Sequence, residues 1–423
     1  MTLEHLEAAW ERTDRLFGFL SEEAWREQPI ALRHPFVFYL GHLPAFAWNH
    51  LGRGSFRPDF DRLFERGIDP VGVDSHVPRG DWPGIEGILE YRDRVRRELT
   101  EALSDPAWPG DGETVVAMVV EHELMHHETL QYMVQELDHA LKRRPAGWPA
   151  LPEAVQARPS RSVEVPEGRA TLGARRGSIP FGWDNEFPEE SVPVPAFGID
   201  ALPVTNLDFL DFVRDGGYAD PRLWGEEDWA WRTRRCVNQP HSWTRERDGR
   251  RVHSLLEDVD FERAAQWPAA VSWAEASAYA RWKGARLPTE AEWHRAARGT
   301  PSGHDRRWPW GDDAPGGRHG SFHFRRASPL PVGSHPDGTS AWGVHELVGN
   351  GWEWTGSPFA PFPGFEPLRR YPGYSADFFD GAHFVLLGGS WATHEVLLRP
   401  SFRNWFQPHY PYVFSKFRCA RSL

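Results

Sequence analysis

The chain has 423 residues, which predicts two or three domains at roughly 150 residues each. Its net charge is −12 without a basic stripe, so neither a nucleic acid nor a membrane is an expected partner. No apolar run reaches the roughly 18 residues that span a bilayer, and the charged N-terminus does not resemble a signal peptide. Two cysteines, Cys236 and Cys419, exclude a disulfide framework, although one bridge is possible. These features together predict a cytoplasmic protein.

The first part of the chain, residues 1–145, has the apolar spacing of helices. Apolar residues recur every three or four positions from Leu3 to Leu20. Three further segments continue this pattern, at FVFYLGHLPAFAWNHL (36–51), at 84–103 and at 113–143. Four helices of this length predict a bundle.

The remainder of the chain has a different pattern. Residues 146–162 are rich in Pro, Ala and Arg and lack periodicity, which predicts a linker. From 163 to 423, short β-like stretches such as HFVLLGGSWA alternate with Gly and Pro turns, and one clear helix is predicted at 272–284. The predicted fold class is therefore α+β, with a four-helix bundle followed by a separate β-rich domain.

The fourth predicted helix contains EHELMHHETLQY (121–132). His122 and His126 fall on its apolar stripe, one turn apart. A single buried histidine is usually a hydrogen-bonded core residue, but two at this spacing inside a bundle favour a metal site. A third ligand is offered by His42, a polar residue among the apolar residues of the second helix, whereas His34 and His50 lie at the ends of that segment.

The metal could be used in two ways. His122-Glu123-x-x-His126 also matches the zinc-peptidase motif, in which Glu123 would be the general base. Alternatively, three neutral imidazoles leave coordination positions open, so that Fe(II) could hold substrate and O2 together. Glu123 and Glu128 are then candidates for orienting the imidazoles, or else solvated charges.

EHELMHHETLQY also resembles the H-x-x-x-H-x-E motif of the ergothioneine-type sulfoxide synthases. These non-haem iron enzymes have an N-terminal DinB-like helix bundle and a C-terminal domain of the formylglycine-generating, C-type-lectin-like fold. The second half carries matches to that fold at RLPTEAEWHRAAR (286–298), WGVHELVGNGWEWT (342–355), LLGGSWAT (386–393) and FRNWFQPHYPYVFSKFRCAR (402–421). The resemblance assigns residues 1–145 to the bundle and 163–423 to the second domain.

The resemblance implies iron held by His42, His122 and His126. It also implies a reaction that joins a sulfur donor to C2 of the imidazole of Nα-trimethylhistidine (hercynine), using O2. Tyr371 resembles the tyrosine that supplies a proton, and Tyr374 one that binds substrate. Asn404 and Trp405 resemble residues of the family that lie near the trimethylammonium group and the carboxylate of hercynine. The iron is then expected between the two domains.

The chain departs from the family pattern at several substrate positions. Where the branch that uses γ-glutamylcysteine has a charged clamp, this chain has Phe406 and Tyr410. Met125 replaces a glutamine that contacts hercynine, and Arg79 resembles a remaining donor-binding arginine. Rings and neutral groups, here with Gln407 and His409, suit a sugar, so the resemblance extends to selenoneine synthase and a selenosugar donor.

Three alternatives remain beside the selenosugar hypothesis. One is a sulfoxide synthase of the ergothioneine pathway that uses cysteine or γ-glutamylcysteine. The second is the zinc peptidase, which leaves the second half unexplained. The third is a binding module without catalysis. Formylglycine-generating activity needs a closely spaced cysteine pair, which Cys236 and Cys419 do not form in the sequence.

Overall fold

The computed structural model describes residues 1–52, 54–65, 82–105, 112–246 and 249–423. The chain forms two compact units, Met1–Trp148 and Pro149–Leu423. Within the described ranges, none of the helices combines the length and the apolar character needed to cross a membrane. Cys236 is exposed and Cys419 is buried, and both are free thiols, so the possible bridge does not form.

The first unit is helical, as the sequence predicts. All four predicted helices are present, and a short additional one, α3, follows the second. Helix α2 is buried along almost its whole length, because it is apolar all round and contacts α3, α4 and α5. The helices are α1 (Leu3–Phe17), α2 (Phe36–Leu51), α3 (Pro58–Leu63), α4 (Ile85–Leu103) and α5 (Gly112–Gln135).

Helix α5 is shorter than the predicted segment 113–143. It ends at Gln135 because Asp138 leaves the helical region, with φ −58° and ψ 138°. The Asp138 carboxylate instead accepts a hydrogen bond from the Ala140 N–H and caps a single 3-10 turn. This is the competition between a short polar side chain and the helix that makes aspartate a common terminator.

The second unit combines small sheets with short helices. Its central sheet has the strand order β10-β9-β8-β11, and Trp405 of β10 pairs with Val385 of β9. The strands are β1 (Ser162–Val165), β2 (Gly168–Leu172), β3 (Glu190–Val194), β4 (Phe197–Asp200), β5 (Trp243–Glu246), β6 (Gly249–His253), β7 (Asp258–Asp260), β8 (Trp352–Pro358), β9 (Phe384–Leu387), β10 (Asn404–Phe406), β11 (Ser415–Lys416) and β12 (Ala420–Ser422).

The helix predicted at 272–284 is confirmed as α9, but four others were not predicted. The helices of this unit are α6 (Asn206–Arg214), α7 (Glu226–Arg234), α8 (Phe261–Ala264), α9 (Trp273–Trp282) and α10 (Glu290–Arg298). The start of α10 has a recognisable signal, because Thr289 and Glu292 form a reciprocal capping box. A capping box fixes the residue at which a helix begins, even when the helix is too short to show apolar periodicity.

Charged residues are built into the core of the second unit. Arg418 donates to both carboxylate oxygens of Glu353, at 2.5 and 3.0 Å, and both side chains are fully buried. The Lys416 ammonium is also buried, and its Nζ lies 3.8 Å from Glu353. A bidentate pair of this kind specifies one arrangement of β8 against the C-terminal strands.

Glu353→Gln should destabilise the second unit by about 3 kcal/mol, because the buried Arg418 guanidinium would lose its counter-charge. Urea unfolding followed by tryptophan fluorescence would measure this. Glu366→Gln is the matched control, since Glu366 pairs with Arg176 at the surface and should give no measurable change. Equal unfolding midpoints for the two variants would contradict the prediction.

Candidate metal centre

The orientation of His42 is fixed by one hydrogen bond. Its imidazole is fully buried on α2, and Nδ1 lies 2.7 Å from the backbone carbonyl oxygen of Phe64. Because a carbonyl only accepts, Nδ1 carries the proton and Nε2 keeps its lone pair. Across the part of the chain that the structure describes, no group hydrogen bonds to this Nε2.

The approach of Phe64 depends on a glycine. Phe64 follows α3, and its ring packs against Gly41, so that a Cβ at Gly41 would lie only 2.5 Å from the ring. Phe64 is itself fully buried and has little room to move. Gly41 therefore allows α2 and the end of α3 to come close enough for the Phe64 carbonyl to reach His42.

The other two histidines come from α5, as predicted. The Nε2 atoms of His122 and His126 are 3.2 Å apart, and the centroid of the His42 ring lies 5.1 and 5.0 Å from their ring centroids. One ligand atom from each of the three imidazoles lies within 4.8 Å of the other two. The structure thus brings together the three histidines that the sequence singles out.

Burial keeps these imidazoles neutral. It lowers the pKa of His42 to about 4, and it lowers the pKa of His122 and His126 well below the usual value. Aromatic rings supply the dry surroundings, since Phe46 stacks on His122 at 3.5 Å between centroids and Phe38 stacks on His42 at 5.0 Å. Neutral imidazoles with converging lone pairs fit a divalent metal ion, which would also satisfy the buried Nε2 of His42.

The acidic residues of the motif have different surroundings. Glu123 accepts a hydrogen bond from the Thr13 hydroxyl on α1 at 2.5 Å, and that hydroxyl also lies 2.7 Å from Nε2 of His127. Burial raises the pKa of Glu123 to about 7. The zinc-peptidase hypothesis needs Glu123 beside the metal, so this contact with α1 disfavours it. Glu128 is buried too, so neither carboxylate is the solvated charge that the sequence left open.

Met125 and Arg79 are the two remaining candidates from the first part of the chain. Met125 is half-buried and immediately precedes His126 on α5, so it lies next to the histidine cluster along the helix. Arg79 lies outside the described residues. The role of His127 in the Thr13 contact was not anticipated, since its position in the sequence carries no signal beyond adjacency to His126.

In the second unit, three of the predicted residues form an aromatic cluster. The ring centroids of Tyr371 and Tyr374 are 5.9 Å apart, and the edge of Tyr374 meets Trp405 at 5.4 Å. Asn404 precedes Trp405 on β10. Burial raises the pKa of Tyr371, so its phenol stays protonated at neutral pH. Sequence reasoning missed Trp183, whose ring stacks on Tyr374 at 3.9 Å.

The residues proposed to face a sugar contact one another. Phe406 and Tyr410 stack at 4.9 Å between centroids, and Tyr410 is buried. His409 bonds through Nε2 to Asp228 at 2.8 Å and stacks on Trp231. Of this group only Gln407 is exposed. These contacts leave fewer open ring faces than the sequence suggested.

Comparisons with known proteins match both units. Residues 5–130 match the DinB superfamily, and residues 149–423 match the sulfatase-modifying factor enzyme 1-like domain. A protein named hercynine oxygenase from Mycobacterium tuberculosis is 37% identical, and the alignment covers 99% of this chain and 98% of the relative. This chain belongs to the ergothioneine-type sulfoxide synthase family.

More distant relatives agree with this assignment. Ergothioneine biosynthesis protein 1 of Neurospora crassa is 31% identical across the whole chain, which spans 58% of that relative. The formylglycine-generating enzyme of Mycobacterium tuberculosis is 30% identical, but over only 48% of this chain and 76% of its own length. A member of the sulfoxide synthase family is an enzyme of the oxidoreductase type, so the hypothesis of a binding module without catalysis is wrong.

Gly41→Ala should weaken metal binding by about tenfold or more, because the displaced Phe64 carbonyl would no longer orient His42. Equilibrium dialysis against Fe(II) without oxygen would measure this. Gly87→Ala on α4 is the control, since a Cβ there meets no atom within 4 Å. Metal affinity equal to that of the wild type in Gly41→Ala would show that the Phe64 contact does not orient the ligand.

Proposed function

We propose that this enzyme joins the sulfur of a thiol donor to C2 of the imidazole of hercynine and oxidises the sulfur to a sulfoxide with O2. The observation that carries the proposal is the cluster of His42, His122 and His126, in a chain that aligns end to end with a hercynine oxygenase. Four electrons reduce O2, so that one oxygen atom ends on sulfur and the other leaves as water. The hydrogen atoms of that water come from imidazole C2 and from the thiol.

The proposed donor is cysteine or γ-glutamylcysteine. This departs from the selenosugar that the loss of the charged clamp suggested. Relatives named for hercynine oxygenation and for ergothioneine biosynthesis align with nearly the whole chain, and they support the sulfur branch. Phe406 and Tyr410 stack on each other, so fewer of their ring faces are open to a sugar donor.

Fe(II) is the proposed metal, held by His42, His122 and His126. When bound, it would supply the one-electron chemistry that O2 requires and a position for a thiolate. The chain's contribution is to keep the three imidazoles neutral and oriented. It also packs an aromatic ring against His122 and another against His42.

Residues of the second unit would bind hercynine and donate the proton. We assign proton donation to Tyr371, because burial keeps its hydroxyl protonated at the pH of the cell. The Trp405 indole and the Tyr374 phenol would offer π faces to the trimethylammonium group. Asn404 would provide a neutral polar contact to the same substrate.

The direct test is product analysis by mass spectrometry. Fe(II)-loaded enzyme would receive hercynine in air, with cysteine, γ-glutamylcysteine, a thiosugar and a selenosugar present in competition. We expect a hercynine sulfoxide that contains cysteine or γ-glutamylcysteine. A selenium adduct as the main product would overturn the proposed donor, and the absence of any adduct from iron-loaded enzyme would overturn hercynine as the acceptor.

Tyr371→Phe should lower the rate of carbon–sulfur bond formation by about a hundredfold, since a positioned proton donor typically contributes 10²–10⁴-fold. Substrate affinity should change little, because the ring remains. Tyr279→Phe is the control, since Tyr279 lies in a separate aromatic cluster against Phe209. Product rates that fall equally in both variants would remove Tyr371 from the reaction.

A further inference from the structure

The residues Trp183–Glu186 form one short buried turn, which we call the anchor turn. All four side chains are almost completely inaccessible to solvent. Each residue of this turn makes a contact with the part of the second unit that carries the proposed substrate residues. None of these four positions was singled out from the sequence.

Asp184 holds the loop that contains Tyr371 at two points. Its Oδ1 accepts a hydrogen bond from the Ser375 hydroxyl at 2.5 Å, and its Oδ2 accepts one from the Leu368 N–H at 3.2 Å. These two donors flank Tyr371 and Tyr374 in the chain. Both Asp184 and Ser375 are buried, so water does not readily replace either bond. A single carboxylate thereby fixes the two ends of an eight-residue loop.

The other residues of the anchor turn support neighbouring parts of the cluster. Trp183 stacks on Tyr374, with 3.9 Å between centroids and an interplanar angle of 21°. Glu186 receives two hydrogen bonds from Arg399, at 2.5 and 2.8 Å, and one from Ser401 at 2.6 Å. The backbone oxygen of Asn185 accepts from Arg403, the residue before Asn404. The loop of Tyr371 and the start of β10 therefore share one support.

The loop depends on such a support because it has no regular backbone hydrogen bonds of the kind that hold a helix or a strand. Residues 368–375 contain turns but no helix or strand, and the loop's backbone bonds are local, such as Tyr371 N–H to the Leu368 oxygen. Hydrogen bonds to a carboxylate are about twice as strong as neutral ones. A displacement of about 1 Å in a reacting group can cost roughly a hundredfold in rate. Loss of the Asp184 contacts would release both ends of the loop and so move the Tyr371 hydroxyl.

We propose that Asp184 is a positioning residue that sets the place of the Tyr371 hydroxyl by bridging Ser375 and the Leu368 N–H. This inference rests on the proposed function, in which Tyr371 donates the proton. A purely structural carboxylate would affect stability alone. A positioning residue affects kcat through Tyr371, whereas KM and metal content stay nearly unchanged because Tyr374 is also held by its stacking on Trp183.

The test compares Asp184→Asn and Ser375→Ala with the wild type. In asparagine an NH2 group replaces one of the two carboxylate oxygens, so one of the two donors loses its acceptor. Ser375→Ala removes one donor without touching the carboxylate. We expect kcat to fall at least tenfold in Asp184→Asn and less in Ser375→Ala, with KM for hercynine within about twofold and the same iron content. Ser375→Ala also keeps the test available if Asp184→Asn does not fold.

Glu275→Gln is the matched control. Glu275 is another buried carboxylate of the second unit, and it accepts hydrogen bonds from Tyr218 and Ser272 at the start of α9. The Glu275→Gln variant should be less stable than the wild type, without a comparable loss of kcat. A fall in kcat equal to that of Asp184→Asn would mean that any buried carboxylate has this effect, and the proposal would fail.

A double-mutant cycle shows whether Asp184 acts through the tyrosine. In the Tyr371→Phe background, Asp184→Asn should lower kcat by less than twofold, because there is no hydroxyl left to position. An independent loss of the same size as in the wild-type background would contradict the proposal.

If the wild type forms no product from hercynine, the proposed function has failed, and the anchoring is measured by hydrogen exchange of the Leu368 amide. Faster exchange in Asp184→Asn supports the anchoring, and an unchanged rate overturns it.

Discussion

The hydrogen bond from His42 Nδ1 to the Phe64 carbonyl is the contact on which the proposed metal centre depends. It selects the tautomer that leaves Nε2 free, and it holds the ring toward the two histidines of α5. The bond exists because Gly41 allows Phe64 to approach α2. A backbone carbonyl from outside helices α2 and α5 thus fixes the tautomer and the orientation of His42. Metal-binding histidines are commonly oriented in this way.

The two units fix the positions of their candidate functional side chains in different ways. In the first, the three proposed ligands lie on helices α2 and α5, and burial lowers the pKa of all three imidazoles. In the second, the tyrosines lie on a loop without regular structure, and their positions depend on buried polar contacts instead. Helices suit a metal that must be held in one geometry. A supported loop suits groups that must meet an organic substrate.

Sequence reasoning recovered the parts of this structure that leave a periodic or motif signal. The four long helices, the α+β class and the pairing of His122 with His126 follow from apolar spacing, and His42 follows from a polar residue in an apolar helix. The end of α5 was missed because Asp138 stops a helix through its own backbone conformation. Contacts between residues distant in sequence, such as Glu123 with Thr13 or Asp184 with Ser375, leave no local signal.

The three histidines of the helical unit are proposed to hold one Fe(II). Titration of metal-free protein with Fe(II) under anaerobic conditions tests it most directly. His42→Ala would be compared with the wild type and with His50→Ala, a histidine substitution near the end of the same helix. We expect one tight site in the wild type and in His50→Ala, and at least a hundredfold weaker binding in His42→Ala. Equal stoichiometry and affinity in all three proteins would contradict it.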